Sequence, residues 1–384
     1  MSNTFLDMFS GAGGLSLGLE MAGLKPIGAI ESDVFACETF RHNFPETPLI
    51  SCDVRKLTKS KIIDLFGGVD VIVGGPPCQG FSVAGPSQYG KIDDRNFLIF
   101  EVLRFVKYLK PRIFVVENVK GLLSGKITPE KKAFSEFISQ VEKAGYKTHH
   151  FVLQAADFGV PQWRERVFIF GALHEEDLPK IIKPTFGSKK NARRTVGDIL
   201  GDLPFVDSGE GSEDLTQYLN PHLNSYQKWL RRGSKGVYNH VSMLHTPRII
   251  DRFKLIPIGG SLLDVPAEHG QRQRNYGSLD VKARFKMNNQ RLDPLKISTA
   301  ITASFQSNFV HPFLNRNLTA REGARIQSFP DSFVFKGPRT LMSKTLLKRE
   351  GRENEIGLSQ YNQIGNAVPP LLAYAVGELI AQKL

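Results

Sequence analysis

Over the first ~170 residues, short apolar runs alternate with stretches of helical spacing, a pattern that predicts strand after helix after strand. Strands are expected at Thr4–Met8, Pro26–Ile30, Pro48–Ile50, Val69–Val73, Ile113–Val116, His150–Leu153 and Arg166–Phe170. Helices are expected at Leu15–Ala22, Phe35–Asn43, Leu98–Tyr108 and Lys132–Ala144. This alternation argues an α/β domain with a parallel sheet covered by helices on both faces. The last two strands lie close in sequence and predict a hairpin at the sheet edge, with one strand antiparallel. From about Pro184 the periodicity degrades. Gly187–Arg194 and Asp207–Asp214 read as loops, and Arg272-Gln-Arg-Asn-Tyr-Gly277 interleaves basic and aromatic residues without a period. The apolar run Leu371–Ile380 is expected to pack back onto the first domain, making that domain discontinuous. The expected division is 1–180 for the α/β domain, 181–330 for a smaller irregular domain, and 331–384 for a connection and C-terminal return.

Composition narrows the class. Of 384 residues, 41% are hydrophobic and 23% charged, the balance of a soluble globular protein. No apolar run approaches the ~18 residues of a membrane span, and Met1-Ser-Asn-Thr is no signal peptide. The three cysteines, Cys37, Cys52 and Cys78, form no Cys-x-x-Cys pair. That argues against a disulfide framework or bound metal and for a reducing cytoplasm. The net charge of +12 is unevenly placed: +2 over residues 1–170 and +10 over 171–384. Between Lys228 and Lys296 there are 14 basic and 5 acidic side chains. A polyanion-binding face is the functional reading, a solvated basic surface the plain one.

The chemistry concentrates where strands end. Gly74-Gly-Pro-Pro-Cys-Gln-Gly-Phe-Ser82 puts Cys78 on a stiff Pro-Pro turn directly after a buried strand, the way an α/β sheet presents a nucleophile. A buried inert thiol would not need that polar, stiffened surround. Ile113-Phe-Val-Val116 leads into Glu117-Asn-Val119 and offers an acid at the same edge. Gly11, Gly13 and Gly14 stand between a strand and a helix, where backbone N–H groups can approach a ligand or simply make a tight turn. Glu31 closes the second strand, a position from which an acid accepts hydrogen bonds from ribose hydroxyls. Thr319-x-x-Glu322 reads as a capping box that starts a helix.

Taken together, these residues resemble the cytosine-C5 DNA methyltransferases. Gly74–Ser82 is similar to the family's catalytic loop, Glu117-Asn-Val119 to its Glu-Asn-Val motif, and Phe5–Gly14 to its cofactor loop. Gln162-Trp-Arg-Glu-Arg166 looks like its Gln-x-Arg-x-Arg motif, Leu318–Glu322 its Arg-Glu helix start, and Gly365–Pro370 its C-terminal motif. Six motifs stand in family order from about Thr4 to the last helix. The resemblance implies a Rossmann-like seven-stranded methyltransferase sheet with a second, smaller irregular target-recognition domain. It implies S-adenosylmethionine as cofactor, and the Gly-x-Gly-Gly spacing fits that better than a dinucleotide.

The resemblance also assigns roles. Cys78 would add to C6 of cytosine, Glu117 would stand protonated near N3, and Arg164 and Arg166 would donate to base O2 and orient Glu117. Phe9, Gly11, Ala12, Gly13, Gly14, Glu31, Ser32, Asp53, Val54, Pro77, Leu98, Asn366 and Ala367 would surround the cofactor, with Asp53 on the adenine amino group. Ser32 stands where the family often has a large apolar residue, which shifts adenine packing towards Val54. The target cytosine is expected to flip out of the duplex, with Ser82–Asn96 closing over it. Lys91 and Arg95 from that segment, and Arg272, Arg274, Lys282, Arg284 and Lys286 from the second domain, are the expected DNA contacts. Lys- and Arg-rich residues 341–360 make a longer connection than is usual in the family and carry no assigned role.

The resemblance further implies the modification half of a bacterial restriction system, with double-stranded DNA as substrate, a monomer on DNA, and a cognate nuclease as functional partner. Three alternatives stay open on sequence: an RNA-directed branch of the family, a nicotinamide-dependent oxidoreductase, and a non-catalytic DNA-binding relative.

Overall fold

The apolar runs of the first 170 residues become the strands of one sheet in a computed structural model of the chain, which describes residues 3–77, 97–126, 132–270 and 289–384. Its strands are β1 Thr4–Met8, β2 Lys25–Glu31, β3 Leu49–Ser51, β4 Val71–Gly74, β5 Ile113–Asn118, β6 Lys147–Gln154 and β8 Glu165–Ala172; a two-residue strand, β7 Gln162–Trp163, pairs elsewhere. The order is β3-β2-β1-β4-β5-β8-β6. All neighbours are parallel up to β5, and β8 runs antiparallel to both β5 and β6. The expected edge hairpin and its one reversed strand are therefore present.

Chain direction explains where a site can form. The strands run outwards from β1 to β3, then restart on the other side of β1 with β4. Met8 is in register with Ile30 and with Gly74, and Gly74 with Val116. Four parallel strands thus reach one level, β1 and β4 ending there and β2 and β5 running on to Glu31 and Asn118, and at such a reversal of strand order a crevice opens beyond the carboxyl ends.

The covering helices include α1 Gly14–Met21, α2 Val34–Asn43, α3 Lys59–Phe66, α4 Leu98–Leu109 and α5 Ala133–Lys143. Helix α3 was not expected: only Ile62 and Phe66 are buried, one pair at i,i+4 spacing, and Thr58 caps it by accepting from the Lys61 amide. So thin an apolar face leaves little periodicity to detect. The core between sheet and helices is built from Ile72, Phe105, Phe114, Phe137 and Ile169, all 2% exposed or less. The C-terminal helix Pro370–Ala381 packs on α1, and two glycines make the approach possible. A Cβ on Gly18 would stand 2.3 Å from the Ala373 methyl, and one on Gly377 2.7 Å from that of Ala22.

The chain divides into two compact units, one of residues 1–159, 164–191 and 367–384, the other of 160–163 and 192–366. The second unit holds short ladders instead of a sheet: Gly211–Ser212 with His240–Val241, Thr216–Gln217 with Gly236–Val237, Gln290–Arg291 with Phe309–Val310, and β7 with Ser298–Thr299. The Gly211–Ser212 strand lies inside a stretch expected to be loop, and two residues are too few to leave a sequence period. At the centre of this unit the helix Ala320–Ile326 is wholly buried and begins with the expected Thr319–Glu322 capping box.

Among the described residues of this unit, Arg252, Arg291, Arg316, Arg321 and Arg325 point inwards. Arg316 pairs with Glu322 at 2.8 Å, and Arg325 bridges Asp202 at 2.5 Å and Asp331 at 2.6 Å. Arg321 donates to the carbonyls of Tyr238, Pro330 and Phe333. Arg252 and Arg291, counted in the basic stretch, are buried and donate to carbonyls of His269 and Gly270, and of Ile256 and His311. Burial of a cation is tolerable only with such full pairing.

Among the described residues no single helix is long and apolar enough to cross a membrane.

Candidate active site

The loop after β1 begins with backbone that side chains rarely adopt. Phe9 has φ 59°, Gly11 φ 55° and Gly13 φ 97°, so three left-handed residues turn the chain sharply from strand to helix. Gly11 tolerates this without a Cβ clash, and space stays open around it. Within the loop Ser10 N–H donates to the Ile30 carbonyl and Gly13 N–H to the Ser10 carbonyl. Gly11 donates to one Glu31 oxygen at 2.9 Å, while Ser32 and Asp33 donate to the other at 2.7 and 2.8 Å. Burial raises the Glu31 pKa, and these three amides pull it back down. The carboxylate is thus fixed at the end of β2 with lone pairs to spare. The Ser10 hydroxyl, buried in the same loop, has no hydrogen-bond partner among the described residues. An orphaned donor beside an open glycine cradle fits a polar ligand carrying hydroxyl or amino groups.

Asp53, two residues beyond β3, caps a single 3-10 turn, Val54–Lys56, and accepts from the Arg55 amide. It also pairs with the exposed Arg55 guanidinium at 2.5 Å, which lowers its pKa. Val54 is buried beneath this turn, and Leu98 packs partly buried against the same core. Ala12 is buried, whereas Ser32 and Pro77 are exposed.

Beyond β4 and β5 lies the candidate chemistry. Glu117 is nearly buried and receives the Arg166 guanidinium at 3.0 Å. Arg166 stands at the start of β8, level with Leu153 of β6, so antiparallel pairing brings it back to the end of β5. Its Nη1 also donates to the Glu165 carbonyl at 2.7 Å. Arg164 is buried and donates to the Ala367 carbonyl at 3.1 Å, while Gln154 accepts from its amide at 2.5 Å. Glu165, between the two arginines, pairs outwards with Lys120 at 3.0 Å. Burial drives the Glu117 pKa up, and the cations of Arg166 and Arg164 only partly offset it. Its neutral form therefore persists to higher pH than that of an ordinary glutamate. Gly75 comes close as well: a Cβ there would lie 3.3 Å from Glu117 Oε2.

Two contributors escaped the sequence reading. The Asn118 amide donates to the Pro76 carbonyl at 3.2 Å, tying the Pro-Pro turn to β5. Asp7, next to last in β1, is buried; its Oδ2 accepts from the Ser16 hydroxyl at 2.6 Å, and its Oδ1 has no partner among the described residues. Burial pushes its pKa up to about 7, Ser16 opposes this, and Glu31 adds to it. The adjacency of Asn118 to Glu117 was the one available clue. Asp7 stands among Phe5, Leu6, Met8 and Phe9, within the expected first strand, and that apolar setting was its one clue.

The structure puts Phe9, Gly11, Ala12, Gly13 and Gly14 on the turn from β1 into α1 with Glu31 of β2 bonded to it, and brings Glu117, Arg164, Arg166 and Ala367 to one strand end. Asn366 belongs to the second unit, at the end of the helix Gln360–Asn366. Cys78, Lys91, Arg95, Arg272, Arg274, Lys282, Arg284 and Lys286 lie outside the described residues.

Residues 3–382 match the family described as C-5 cytosine-specific DNA methylase. The type II methyltransferase M.DdeI of Desulfomicrobium norvegicum is 43% identical over 377 residues, 98% of this chain and 88% of that protein. The type II methyltransferase M1.HphI of Haemophilus parahaemolyticus is 34% identical over 384 residues, 99% of this chain and 87% of that one. A solved Escherichia coli structure, described as a prophage-encoded DNA modification methyltransferase, superposes with a TM-score of 0.73 at 25% identity and covers 99% of both chains. Spodoptera frugiperda DNMT2 shares the fold, with a TM-score of 0.60 at 16% identity. With its glycine cradle, strand-end acid and arginine pair in family order, the chain belongs to the C-5 cytosine-specific DNA methylases: it is an S-adenosylmethionine-dependent DNA (cytosine-5-)-methyltransferase.

Proposed function

We propose that the protein methylates C5 of a flipped-out cytosine within a specific double-stranded DNA sequence, through a covalent bond between Cys78 and C6. The observation that carries this reading is the buried Glu117–Arg166 pair at the end of β5, next to the turn that leads into Cys78. Cytosine C5 is a poor nucleophile until something adds to C6. The Cys78 thiolate forms the S–C6 bond, and the electron pair displaced into the ring is stabilised by a proton that Glu117 holds at N3. Arg164 and Arg166 donate to O2 and keep the acid in place. The cofactor, when bound, supplies an electrophilic methyl group. Once C5 has taken that methyl, its proton leaves to a base, the S–C6 bond breaks and the thiolate is restored.

Gly11, Gly13, Gly14, Ala12 and Ser10 line the side of the cofactor nearest β1; Glu31 receives the ribose hydroxyls, Asp53 the adenine amino group. Phe9, Ser32, Val54, Pro77, Leu98, Asn366 and Ala367 complete its surroundings. The second domain, 181–330, reads the target, and Lys91, Arg95, Arg272, Arg274, Lys282, Arg284 and Lys286 contact DNA. Residues 331–384 return the chain to the catalytic domain. The type II methyltransferases among the relatives support a restriction–modification setting in the cytoplasm, with a nuclease as functional partner and the protein acting as a monomer on DNA.

A duplex with 5-fluorocytosine at the target position tests the mechanism, because fluorine cannot leave as a proton does. A denaturation-resistant adduct, dependent on S-adenosylmethionine and mapped to Cys78, is the expected result. Methylation that survives Cys78→Ala sinks the covalent route.

A further inference from the structure

Arg104 shares its guanidinium between a loop far from it in sequence and Glu101 of its own helix, whose carboxylate lies 2.6 Å from Nη2. Its Nη2 donates to the Val54 carbonyl and its Nη1 to the Leu57 carbonyl, both at 2.8 Å. Its Nε donates to Glu101, one turn back on α4, at 2.7 Å. The guanidinium carbon lies 5.9 Å from the Tyr108 ring centroid, so Tyr108 covers the fork from the side. Arg104 is about three-quarters buried, which strengthens each bond over its worth in water.

Apart from Arg104, the loop is held by bonds within its own turn, Lys56 N–H to the Asp53 carbonyl and Leu57 N–H to the Val54 carbonyl, and by Cys52 N–H on the Glu31 carbonyl. Asp53 and Arg55 pair with each other in solvent, and a 3-10 turn of three residues has little internal stiffness. Only Val54 and Leu57 of this loop enter the core. The carbonyls of those same two residues take the Arg104 fork. Helix α4 also carries Leu98, so one side chain joins the Asp53–Val54 turn to the helix of a second expected cofactor contact. Lysine would do this less well, since a point charge matches two divergent carbonyls worse than a planar fork does.

We propose that Arg104 is a positioning residue for the adenine end of S-adenosylmethionine, holding the Asp53–Val54 turn against α4. This rests on the reading that Asp53 accepts the adenine amino group. The residue touches no cofactor atom itself; it acts through the turn.

The test compares S-adenosylhomocysteine with S-inosylhomocysteine, which has an oxo group where adenine has its amino group, by calorimetry on the full chain. Wild type should prefer the adenosine compound. Arg104→Met keeps the apolar stem and loses the fork; its Kd for S-adenosylhomocysteine should rise about 10-fold or more, the worth of one charged hydrogen bond. Its preference for adenosine over inosine should shrink towards none, and kcat at saturating cofactor should stay within about 3-fold of wild type. Arg104→Lys should fall between the two. A wild type indifferent to the exchange overturns the Asp53 reading and this role with it. A discriminating wild type and a folded Arg104→Met with unchanged affinity and preference overturn the role of Arg104 alone. If the methionine variant does not fold, the same unchanged values in Arg104→Lys decide against it.

Discussion

Asn118 donates its side-chain amide to the carbonyl of Pro76 at 3.2 Å and accepts the Val119 amide on its own oxygen at 2.8 Å. One buried side chain therefore joins the end of β5 to the turn before Cys78, while its neighbour Glu117 holds the Arg166 pair. The Glu117 carboxyl and the Pro76 turn are tied to adjacent residues of a single strand end. Asn118→Ala leaves the Pro76 carbonyl without its donor, at a cost of about 1–3 kcal/mol. The urea midpoint should fall, and the single-turnover methylation rate should fall with it. Affinity for S-adenosylmethionine should hold. A rate equal to wild type would mean the turn keeps its place unaided.

Glu117→Gln preserves shape and removes the transferable proton. The methylation rate should drop about 10²–10⁴-fold, the usual worth of general acid–base help. Cofactor affinity by calorimetry should stay as it was. The pH dependence follows from the raised pKa. A group that must be protonated works below its pKa, so wild-type activity through Glu117 is lost as pH rises. Glu117→Gln should lack that alkaline limb. Retention of the limb in the variant would assign it to another group.

Asp7 makes stability depend on pH in a definite direction. Its pKa is about 7 in the folded protein against 3.8 for the free side chain, so between those values the folded state binds the extra proton. Its contribution is therefore greatest below pH ~4 and lost as pH rises towards 7, by about 4 kcal/mol over the window. Asp7→Asn has no proton to lose. The stability of Asp7→Asn relative to wild type should climb between pH 4 and 7 and level off above, measured by urea unfolding at several pH values. A constant difference across that window would mean Asp7 is charged throughout.

Arg316 and Glu322 are each about 1% exposed and pair at 2.8 Å within the second unit. Burial alone would raise the Glu322 pKa, but Arg316 and His311 hold it well below the ordinary range. Arg316→Met strands a buried carboxylate and should cost about 3–5 kcal/mol. Adding Glu322→Gln to that variant should return part of the loss, because the stranded charge is gone. Chemical unfolding of the two variants checks the loss and its partial recovery. No recovery in the double variant would place the damage in Arg316's other bonds, to the Val206 and Asn317 carbonyls.

Strands were easiest to read where both faces are buried. Ile113-Phe-Val-Val116 is apolar without interruption, and it became β5 with its expected bounds extended only to Asn118. Positions that act through main-chain conformation were also legible: Gly11 and Gly13 could be singled out because few residues accept their φ values. Helix α3 was not legible, since two buried residues make no period. Nor was the inward turn of Arg252, Arg291, Arg316, Arg321 and Arg325, which composition counts as surface charge.

Local pattern in the chain determined the α/β alternation, the glycine loop, the strand-end acid and the order of the motifs, because each depends on neighbours a few residues away. Only the tertiary structure decided which partner each polar group meets. Arg166 finds Glu117 across 49 positions because β8 turns back antiparallel beside β5. Arg104 finds Val54 and Leu57 because α4 packs over their turn. The same burial raises the pKa of Asp7 and that of Glu117. Solvent exclusion arises only when distant segments close over one another, so no window of sequence contains it.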